Sequence, residues 1–422
     1  MSKVVSSSIH SEELTTQEAE QLTVGPSITT STWFEGNHAQ ATAQLRSRLW
    51  SVVSLNPWLS GSLRKRGKKL YLEWETELDE DRVLQRLVNS QGNRKSIEGK
   101  ISSSMPFEEQ CNAIGGSLAE VPTGSACIGN GTPLLSLYIV NDSDPSPGAR
   151  FVVIFSVSHV IVDGFTYYLL LSMLSSNGEV PIALNAKRKQ GIMESTKQAM
   201  GENEFNFANG KGVMCNVVSS LLCGRKPFIC NNYIDKGEID RIKSLSGASG
   251  ASFISTNDII ASAFALATNS QIMLLPINFR GRNEAFTKVD AGNYEGALVF
   301  GRGDYDQPEL IRKTLQSGPP TYIRGGGAGM VDPPVALPSC CEAMRTRLSM
   351  VTNWTFSHFQ ELAIDGATHL LHSPHCDTKM VPFDIAVVYH PRRDELAVLC
   401  FVRSVNESTL EEELPVGKKV SI

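Results

Sequence analysis

The chain has 422 residues, which is longer than the size at which one hydrophobic core usually stops growing, so two domains are expected. Its net charge of −5 provides no overall basic field, and this argues against binding to nucleic acid or to an anionic membrane surface. With 41% hydrophobic and 20% charged residues, the composition is that of a globular enzyme rather than of a disordered or fibrous protein.

Three sequence features predict a cytoplasmic protein. The N-terminal segment MSKVVSSSIHSEELTTQEAEQ is polar and charged where a secretory signal would be apolar. The strongest apolar run, residues 151–162, is too short to span a bilayer and contains two serines and a histidine. Nine scattered cysteines without a CxxC pair argue against a disulfide framework or a structural zinc site, so reduced thiols are expected.

In the first half of the chain, the hydrophobic pattern predicts both helices and strands. A helical spacing of apolar residues covers about 40–55, and a charged turn at Gly67 joins two short strands. Two further strands are predicted at 134–141 and 151–157, on either side of a turn rich in Asp, Ser and Pro. Residues 165–174 then predict a largely buried helix.

The second half of the chain follows a stretch that has no sustained period, residues 187–225, where we place the crossover between domains. Helices are expected at 235–245 and at 259–267, the latter capped by Thr256. Strands are expected at 271–279 and 297–300, with a final hairpin of 383–389 and 395–402. The predicted division is therefore an N-terminal domain at 1–190, a linker at 191–225 and a C-terminal domain at 226–422.

The segment Ser158-His-Val-Ile-Val-Asp163-Gly164 carries the chemistry. His159 ends a buried strand, and the chain then turns through Asp163 and Gly164 into a helix, which places an imidazole at a sheet edge where clefts form. Because the pKa of imidazole lies near neutrality, His159 could act as a general base. The alternative is that His159 is a satisfied core histidine and that Asp163 only caps the helix.

The motif SHVIVDGF resembles the HxxxDG motif of the BAHD acyltransferases, which are related to chloramphenicol acetyltransferase and to the condensation domains of peptide synthetases. Five further segments occur in the family's order: NPWLSGSL from Asn56, STNDIIASAFALA from Ser255, INFRGR from Ile277, GNYEGALV from Gly292 and VTNWTF from Val351. Ala297 replaces the asparagine of the family's Tyr-x-Gly-Asn stretch. The late DFGWG motif survives only as Asp365-Gly366, which leaves open a divergent branch of the superfamily.

The resemblance implies an α/β (α+β) fold with two chloramphenicol-acetyltransferase-like domains. Each would have a mixed β-sheet flanked by helices, with a channel between the domains. It further implies an acyltransferase in which acyl-CoA is a co-substrate and His159 Nε2 deprotonates the hydroxyl or amine of a small-molecule acceptor. A monomer without a permanently bound cofactor or metal is expected.

The resemblance also assigns roles to other residues. Asp163 is expected to be structural and to pair with Arg280, with Arg282 as the alternative partner. Thr352 is the candidate donor to the oxyanion of the tetrahedral intermediate. The expected substrate-binding residues are Gly164, Trp354, Asp365 and Gly366.

Several alternatives stay open at the level of sequence. The cluster of His369, His372, His375 and Cys376 could suggest metal ligands, but Pro374 interrupts it and the superfamily needs no metal. The glycine-rich run 324–329 lacks the ending of a P-loop and predicts a loop at the channel mouth. The basic residues that could contact CoA phosphates or simply be solvated are Lys187, Arg188, Lys189, Arg225 and Lys226. The rival functions are a condensation-type reaction with a carrier-bound donor and a catalytically silent scaffold.

Overall fold

The computed structural model describes residues 8–144, 149–248, 253–318, 321–324, 336–355 and 361–422. Most of the glycine-rich loop predicted for 324–329, and the Asp-Pro-Pro sequence that follows it at 332–334, lie outside the described residues. Within the described ranges, no helix is both long enough and apolar enough to cross a bilayer.

The first large sheet has four strands, which are β2 (Ile28–Gly36), β5 (Leu135–Asn141), β6 (Arg150–Val157) and β11 (Ala367–His375). Their order is β11–β2–β6–β5, and each neighbouring pair is antiparallel. The two strands predicted around the turn at 142–148 are therefore confirmed. Every residue of β6 after Arg150 is buried, which is typical of a central strand covered on both faces. β6 ends at Val157, before the apolar run ends, because the chain turns away at Ser158.

The second large sheet has seven strands, which are β7 (Phe228–Ile234), β8 (Ile272–Asn278), β9 (Glu295–Gly301), β10 (Leu348–Asn353), β12 (Asp384–Arg392), β13 (Glu395–Val402) and β14 (Val416–Lys419). Their order is β14–β7–β13–β12–β10–β8–β9. β10 pairs in parallel with β8 and with β12, and the other pairs are antiparallel, so this sheet is mixed. β12 and β13 form the predicted hairpin, and β9 is an edge strand.

A small third sheet and a set of helices complete the fold. The small sheet has the order β1 (Ile9–Glu13), β4 (Lys69–Glu75), β3 (Ser62–Arg66), and its β3–β4 pair is the predicted charged hairpin. The helices are α1 (Thr16–Glu20), α2 (His38–Leu55), α3 (Glu80–Leu87), α4 (Phe107–Ile114), α5 (Gly124–Cys127), α6 (Gly164–Leu174), α7 (Ile192–Met200), α8 (Glu202–Ala208), α9 (Lys211–Cys223), α10 (Lys236–Ala248), α11 (Thr256–Ala267), α12 (Pro308–Ser317), α13 (Cys340–Ala343) and α14 (Glu407–Glu413).

One local prediction was wrong, and one segment has more regular structure than its sequence indicates. Residues 191–225, where the crossover linker is placed, are helical for most of their length, as α7, α8 and α9. Gly201 and Gly210 separate these helices, so no single one is long enough to show a sustained period. The cap of α11 is Ser255, not Thr256, because the Ser255 side chain accepts a hydrogen bond from the N–H of Asp258, whose carboxylate accepts one in return from the N–H of Ser255.

The buried side chains form two main cores that follow the two large sheets. One core is drawn from residues 14–184, together with Ala291, Leu362 and Ile364, and the other lies between Ile192 and Leu414. β11 belongs to the later half of the chain but pairs with β2 in the first sheet. The chain therefore returns to the first sheet near its C-terminal end, while the division into 1–190, 191–225 and 226–422 stays a prediction.

Candidate active site

His159 lies in the turn that joins the end of β6 to the start of α6. Its neighbours Ser158 and Val160 are 1% and 0% exposed, whereas the side chain of His159 is 25% exposed. A buried backbone thus presents an imidazole that solvent can reach. The alternative of a histidine sealed in the core does not fit this exposure.

The hydrogen bonds of His159 determine which ring nitrogen carries the proton. Nδ1 lies 3.0 Å from the carbonyl oxygen of Val162 and 3.0 Å from Oδ1 of Asn293. The amide nitrogen of Asn293 donates to the carbonyl oxygen of His159, which fixes Oδ1 as an acceptor. Because both neighbours of Nδ1 only accept, Nδ1 carries the hydrogen, and the neutral ring therefore leaves Nε2 with a free lone pair.

A network of buried polar side chains holds the turn in place. Asn293 Nδ2 donates to the carbonyl oxygens of His159 and Val160, at 2.9 and 3.3 Å. Arg188 donates to the carbonyl oxygen of Ile161 at 3.1 Å and forms a fully buried ion pair with Glu18 at 3.0 Å. These contacts satisfy the carbonyls of the turn, which water would otherwise have to hydrate.

Glu18 connects the two parts of this network. One carboxylate oxygen of Glu18 lies 3.3 Å from both the backbone N–H and the amide nitrogen of Asn293. Arg188 is therefore not a solvated candidate for the CoA phosphates, because its side chain is completely buried and occupied by Glu18 and by backbone carbonyls. The other basic candidates stay unassigned.

We expect Asn293→Ala to lower the free energy of unfolding by about 1–3 kcal/mol, since it removes the side-chain donor to the carbonyl oxygens of His159 and Val160 and one of the donors to Glu18. Chemical denaturation monitored by tryptophan fluorescence would measure the change. Asn216→Ala on α9, which removes a buried asparagine that donates to the carbonyl oxygens of Ala343 and Thr346, is a matched control away from the site. Equal destabilisation by both variants, with no change in the environment of His159 by NMR, would argue against a role of Asn293 in positioning the turn.

Asp163 combines the two roles that the sequence left as alternatives. Its Oδ1 caps α6 by accepting from the N–H of Thr166 at 2.9 Å. Its Oδ2 accepts from Arg280 Nη1 at 2.6 Å and from the backbone N–H of Tyr294 at 2.9 Å. Asp163 and Arg280 are 1% and 0% exposed as side chains, so this is a buried ion pair between α6 and the segment after β8.

All five N–H donors of Arg280 are used within the protein. Besides Asp163, they donate to the side chains of Thr166 and Asn278 and to the carbonyl oxygens of Asp290 and Gly292. The guanidinium also lies over the rings of Phe165 and Tyr294, at 4.8 and 5.0 Å from the ring centres. Arg282, the alternative partner, is exposed and donates to the carbonyl of Asn278 instead.

The electrostatic environment of Asp163 favours its ionised form. Burial alone opposes ionisation, but the charge and the hydrogen bond of Arg280, with the backbone N–H groups of Thr166 and Tyr294, hold the pKa of Asp163 below its ordinary value. Asp163 is therefore a carboxylate that is locked between protein donors and unavailable to a substrate.

Glu295, the first residue of β9, lies on the open side of His159. Its Oε1 is 3.9 Å from His159 Nε2, and its side chain is 27% exposed. Burial, followed by repulsion from Asp163, raises the pKa of Glu295 to about 7, although His159 and Arg280 act in the opposite direction. A carboxyl group that can exchange protons near neutrality thus lies next to the predicted base.

The raised pKa of Glu295 predicts a pH-dependent effect of Glu295→Gln on stability. A carboxyl whose folded-state pKa lies above the ordinary 4.5 stabilises the fold fully below pH 4.5 and loses that contribution as the pH rises through about 7. The melting temperature of the variant relative to the native protein should therefore be higher at pH 8 than at pH 5. Differential scanning fluorimetry checks this, with the exposed Glu77→Gln as control; an equal difference at both pH values would contradict it.

Thr352 and Trp354 lie at the end of β10. Both side chains are partly exposed, and Thr352 is paired with Val387 of β12. The ring of Trp354 contacts the ring of Tyr168 on α6, with 5.9 Å between ring centres, so it reaches the helix that follows the His159 turn. No described contact joins Thr352 to His159, and the role of Thr352 stays a prediction.

The structure does not bring Asp365 and Gly366 to His159. They form an exposed turn before β11, where the backbone N–H of Asp365 donates to Gln44 of α2. Ala367 pairs with Gly36 of β2, whereas Val157, just before the His159 turn, pairs with Ile28 at the other end of the same strand. Eight strand residues separate these ends by roughly 25 Å, so a substrate-binding role for this pair beside His159 is not supported.

Gly164 is the first residue of α6 and is buried. It does not have the positive φ that would require glycine, unlike Gly292 in the facing segment, whose φ is 136°. A Cβ on Gly292 would also lie 3.3 Å from both Arg188 and Glu18. The glycine that the backbone geometry needs at this site is therefore Gly292.

Two histidines of β11 form hydrogen bonds to the neighbouring strand of the first sheet. His372 Nδ1 lies 2.9 Å from the hydroxyl of Thr32, and His375 Nε2 lies 2.6 Å from the hydroxyl of Ser31. Burial lowers the pKa of both, that of His375 to about 3. In the described part of the chain, the one group of metal-binding side chains whose ligand atoms lie within 4.8 Å of each other is Cys230, Glu407 and Glu411, so these histidines do not converge.

The fold is similar to that of several solved structures over nearly the whole chain. F. sporotrichioides TRI101 complexed with Coenzyme A and T-2 has a TM-score of 0.59 at 11% identity, and the match covers 96% of this chain and 97% of that one. Vinorine synthase has a TM-score of 0.57 at 13% identity, covering 96% and 92%. The first condensation domain of the calcium-dependent antibiotic synthetase has a TM-score of 0.56 at 13% identity, covering 96% and 94%.

These likenesses confirm the two-domain α/β fold that the motifs predict. No protein-family model and no curated protein matches the sequence. At 11–13% identity, the similarity establishes the fold, and the chemistry has to be argued from the site.

Sequence reasoning missed four residues of the site: Glu18, Arg188 as a structural group, Asn293 and Glu295. Asn293 and Glu295 lie in the quoted segment GNYEGALV on either side of a buried tyrosine. Two polar residues there could have indicated a site that faces the His159 turn. Glu18 gives no such signal, because it lies in a polar helix far from its partners in sequence.

Proposed function

We propose that this protein is an acyltransferase that moves an acyl group from a CoA thioester to a hydroxyl or amine of a small-molecule acceptor, with His159 as the general base. The observation that carries the proposal is the state of the imidazole. Its Nδ1 is anchored by two acceptors in a buried network, while the ring remains a quarter exposed with the Nε2 lone pair free. This is the arrangement that a proton-transfer base needs.

In the proposed reaction, Nε2 of His159 takes a proton from the acceptor as its oxygen or nitrogen attacks the thioester carbonyl. The resulting oxyanion needs a donor, and we propose the hydroxyl of Thr352, with Trp354 as a wall of the site. Collapse of the tetrahedral intermediate breaks the carbon–sulfur bond, and His159 returns the proton to the thiolate. No covalent acyl-enzyme intermediate is involved.

The choice of CoA as donor is supported by the likeness to TRI101, whose structures are described as complexes with Coenzyme A and either T-2 or deoxynivalenol. The likeness to a condensation domain keeps a carrier-bound donor as the second candidate. The retained charged pair of Asp163 and Arg280 and the exposed His159 count against a silent scaffold.

The experiment that tests the function is a thiol-release assay. The purified protein is mixed with a panel of acyl-CoA thioesters and with small alcohols and amines, and free CoA thiol is followed with a chromogenic thiol reagent. We expect acceptor-dependent release with at least one pair. Turnover only with acyl groups on a carrier-protein phosphopantetheine would overturn the CoA assignment, and no turnover with either donor class would support the scaffold.

A further inference from the structure

Glu295 differs from the other buried or half-buried carboxylates of the site in having no protein cation of its own. Glu18 is paired with Arg188, and Asp163 is paired with Arg280. In the described part of the chain, the Glu295 carboxylate accepts no hydrogen bond, and its one ion-pair contact is the 3.9 Å approach to His159 Nε2. Glu295 is a half-buried carboxylate that faces the exposed edge of His159 and whose acceptor capacity no described protein donor uses, so it is available to a ligand.

Neither Arg280 nor Asp163 can act as a partner for the Glu295 carboxylate. Each of the five N–H groups of Arg280 is already donated to another acceptor, which prevents it from bonding to Glu295. Asp163 adds further negative charge on the same side. Its repulsion is the second cause of the raised pKa of Glu295, and burial is the first. The titratable and charged groups around Glu295 are therefore an arginine whose donors are all used, an aspartate that repels it and the imidazole of His159.

From this geometry we propose that Glu295 binds the ammonium group of a primary-amine acceptor and that the enzyme is an N-acyltransferase. The proposal rests on the acyltransfer function proposed above and specifies its substrate class. A nitrogen placed beside the pair could lie about 2.9 Å from both His159 Nε2 and Glu295 Oε1, because the gap of 3.9 Å between those atoms is shorter than the sum of two hydrogen bonds.

Acylation of an alkylammonium removes two protons from nitrogen, whereas acylation of an alcohol removes one proton from oxygen. The amine reaction therefore has a use for two basic groups, and the alcohol reaction needs one. An alkylammonium first gives one proton to the Glu295 carboxylate, which frees the nitrogen lone pair for attack on the thioester carbon. As the carbon–nitrogen bond forms, His159 takes the second proton, and it passes this proton to sulfur when the carbon–sulfur bond breaks. Glu295 releases its proton to solvent, so the products are an amide, free CoA thiol and one proton.

The pKa of Glu295, raised to about 7 mainly by burial, is consistent with this use. A carboxylate with an ordinary pKa would be a weak acceptor for an ammonium proton, and the higher value reduces the free-energy difference of that transfer. An alcohol acceptor arrives neutral and has only one proton to lose, so it gains nothing from a second base.

The test compares amines with alcohols of the same carbon skeleton. Acetyl-CoA is offered with hexylamine or hexanol, and with 2-phenylethylamine or 2-phenylethanol, to the native protein and to Glu295→Gln. We expect the native protein to prefer the amines, and the ratio of kcat/KM for amine over alcohol to fall about tenfold or more in the variant, since a charge-assisted hydrogen bond is lost. Glu77→Gln, at an exposed position, is the matched control.

Two outcomes would overturn the proposal. An unchanged ratio, with both substrates slowed equally in Glu295→Gln, would mean that Glu295 only stabilises the protonated ring of His159. Calorimetric binding of 2-phenylethylamine at pH 8 provides a readout that does not depend on turnover. Equal affinity of the native protein and Glu295→Gln would exclude an ammonium site. This binding measurement stays informative even if no donor gives thiol release, which is the result that would contradict the acyltransfer function itself.

Discussion

Replacing His159 with alanine is expected to lower kcat/KM for thiol release by about 10²- to 10⁴-fold, which is the usual contribution of a positioned general base. The variant removes the Nε2 lone pair, while Asn293 still donates to the backbone of the turn and Arg188 still holds the carbonyl of Ile161. The fold should therefore be retained. Thiol release under subsaturating acceptor measures the change.

The matched control for this prediction is His10→Ala. His10 is an exposed histidine of the small sheet that stacks near Trp74, far in sequence from the turn. Its replacement should leave kcat/KM within a factor of about two. A His159→Ala protein that keeps more than about a tenth of native turnover, with a native melting curve, would remove His159 from the role of base.

Much of the fold could be predicted because local patterns report local structure. The alternating and continuous apolar runs identified β5, β6 and the β12–β13 hairpin, and the helical spacing at 40–55 identified α2. These signals depend on neighbours in sequence. The position of His159 just after β6 followed from the same reasoning, because the chain turns there from a buried strand into a capped helix.

The rest depended on contacts between distant parts of the chain. The pairing of β11 with β2 joins residues more than 300 positions apart, and nothing in either segment specifies its partner. That pairing places Asp365, which was expected to bind substrate, at the end of β2 opposite to the His159 turn. Arg188 looked like one of several surface cations, and only the fold shows that Glu18 neutralises it in the interior.

The site is thus a turn held from two sides. On one side, Glu18 and Arg188 fix the backbone of the turn through Asn293 and Ile161. On the other side, Asp163 connects the start of α6 to Arg280, which lies in the segment after β8 of the second large sheet. Both ion pairs are completely buried, so each matters less for its net contribution to stability than for the geometry that it imposes.

Asp163→Ala is therefore expected to lower the free energy of unfolding by about 3–5 kcal/mol, since it leaves the guanidinium of Arg280 buried without its counter-charge and removes the cap of α6. Chemical denaturation at pH 7 measures this. The double variant Asp163→Ala/Arg280→Met should be less destabilised than the sum of the two single variants, because it no longer buries an unpaired charge. Strict additivity would show that the pair is not coupled.

The same pair predicts how the difference between native protein and Asp163→Ala depends on pH. The pKa of Asp163 is lower in the folded state than its ordinary value of 3.8, so its ionic contribution is fully present above pH 3.8 and is lost as the pH falls through the lower folded-state value. The destabilisation by Asp163→Ala should be largest near pH 5; it should shrink in stronger acid, and it should also decrease as the pH rises through about 7, because the variant no longer repels the ionised Glu295. Asp163→Asn can still accept from the N–H of Thr166, so it should lose the charge but keep part of the cap. Its free energy of unfolding should therefore lie between those of the native protein and Asp163→Ala. An equal loss in Asn and Ala variants would assign the whole effect to the charge.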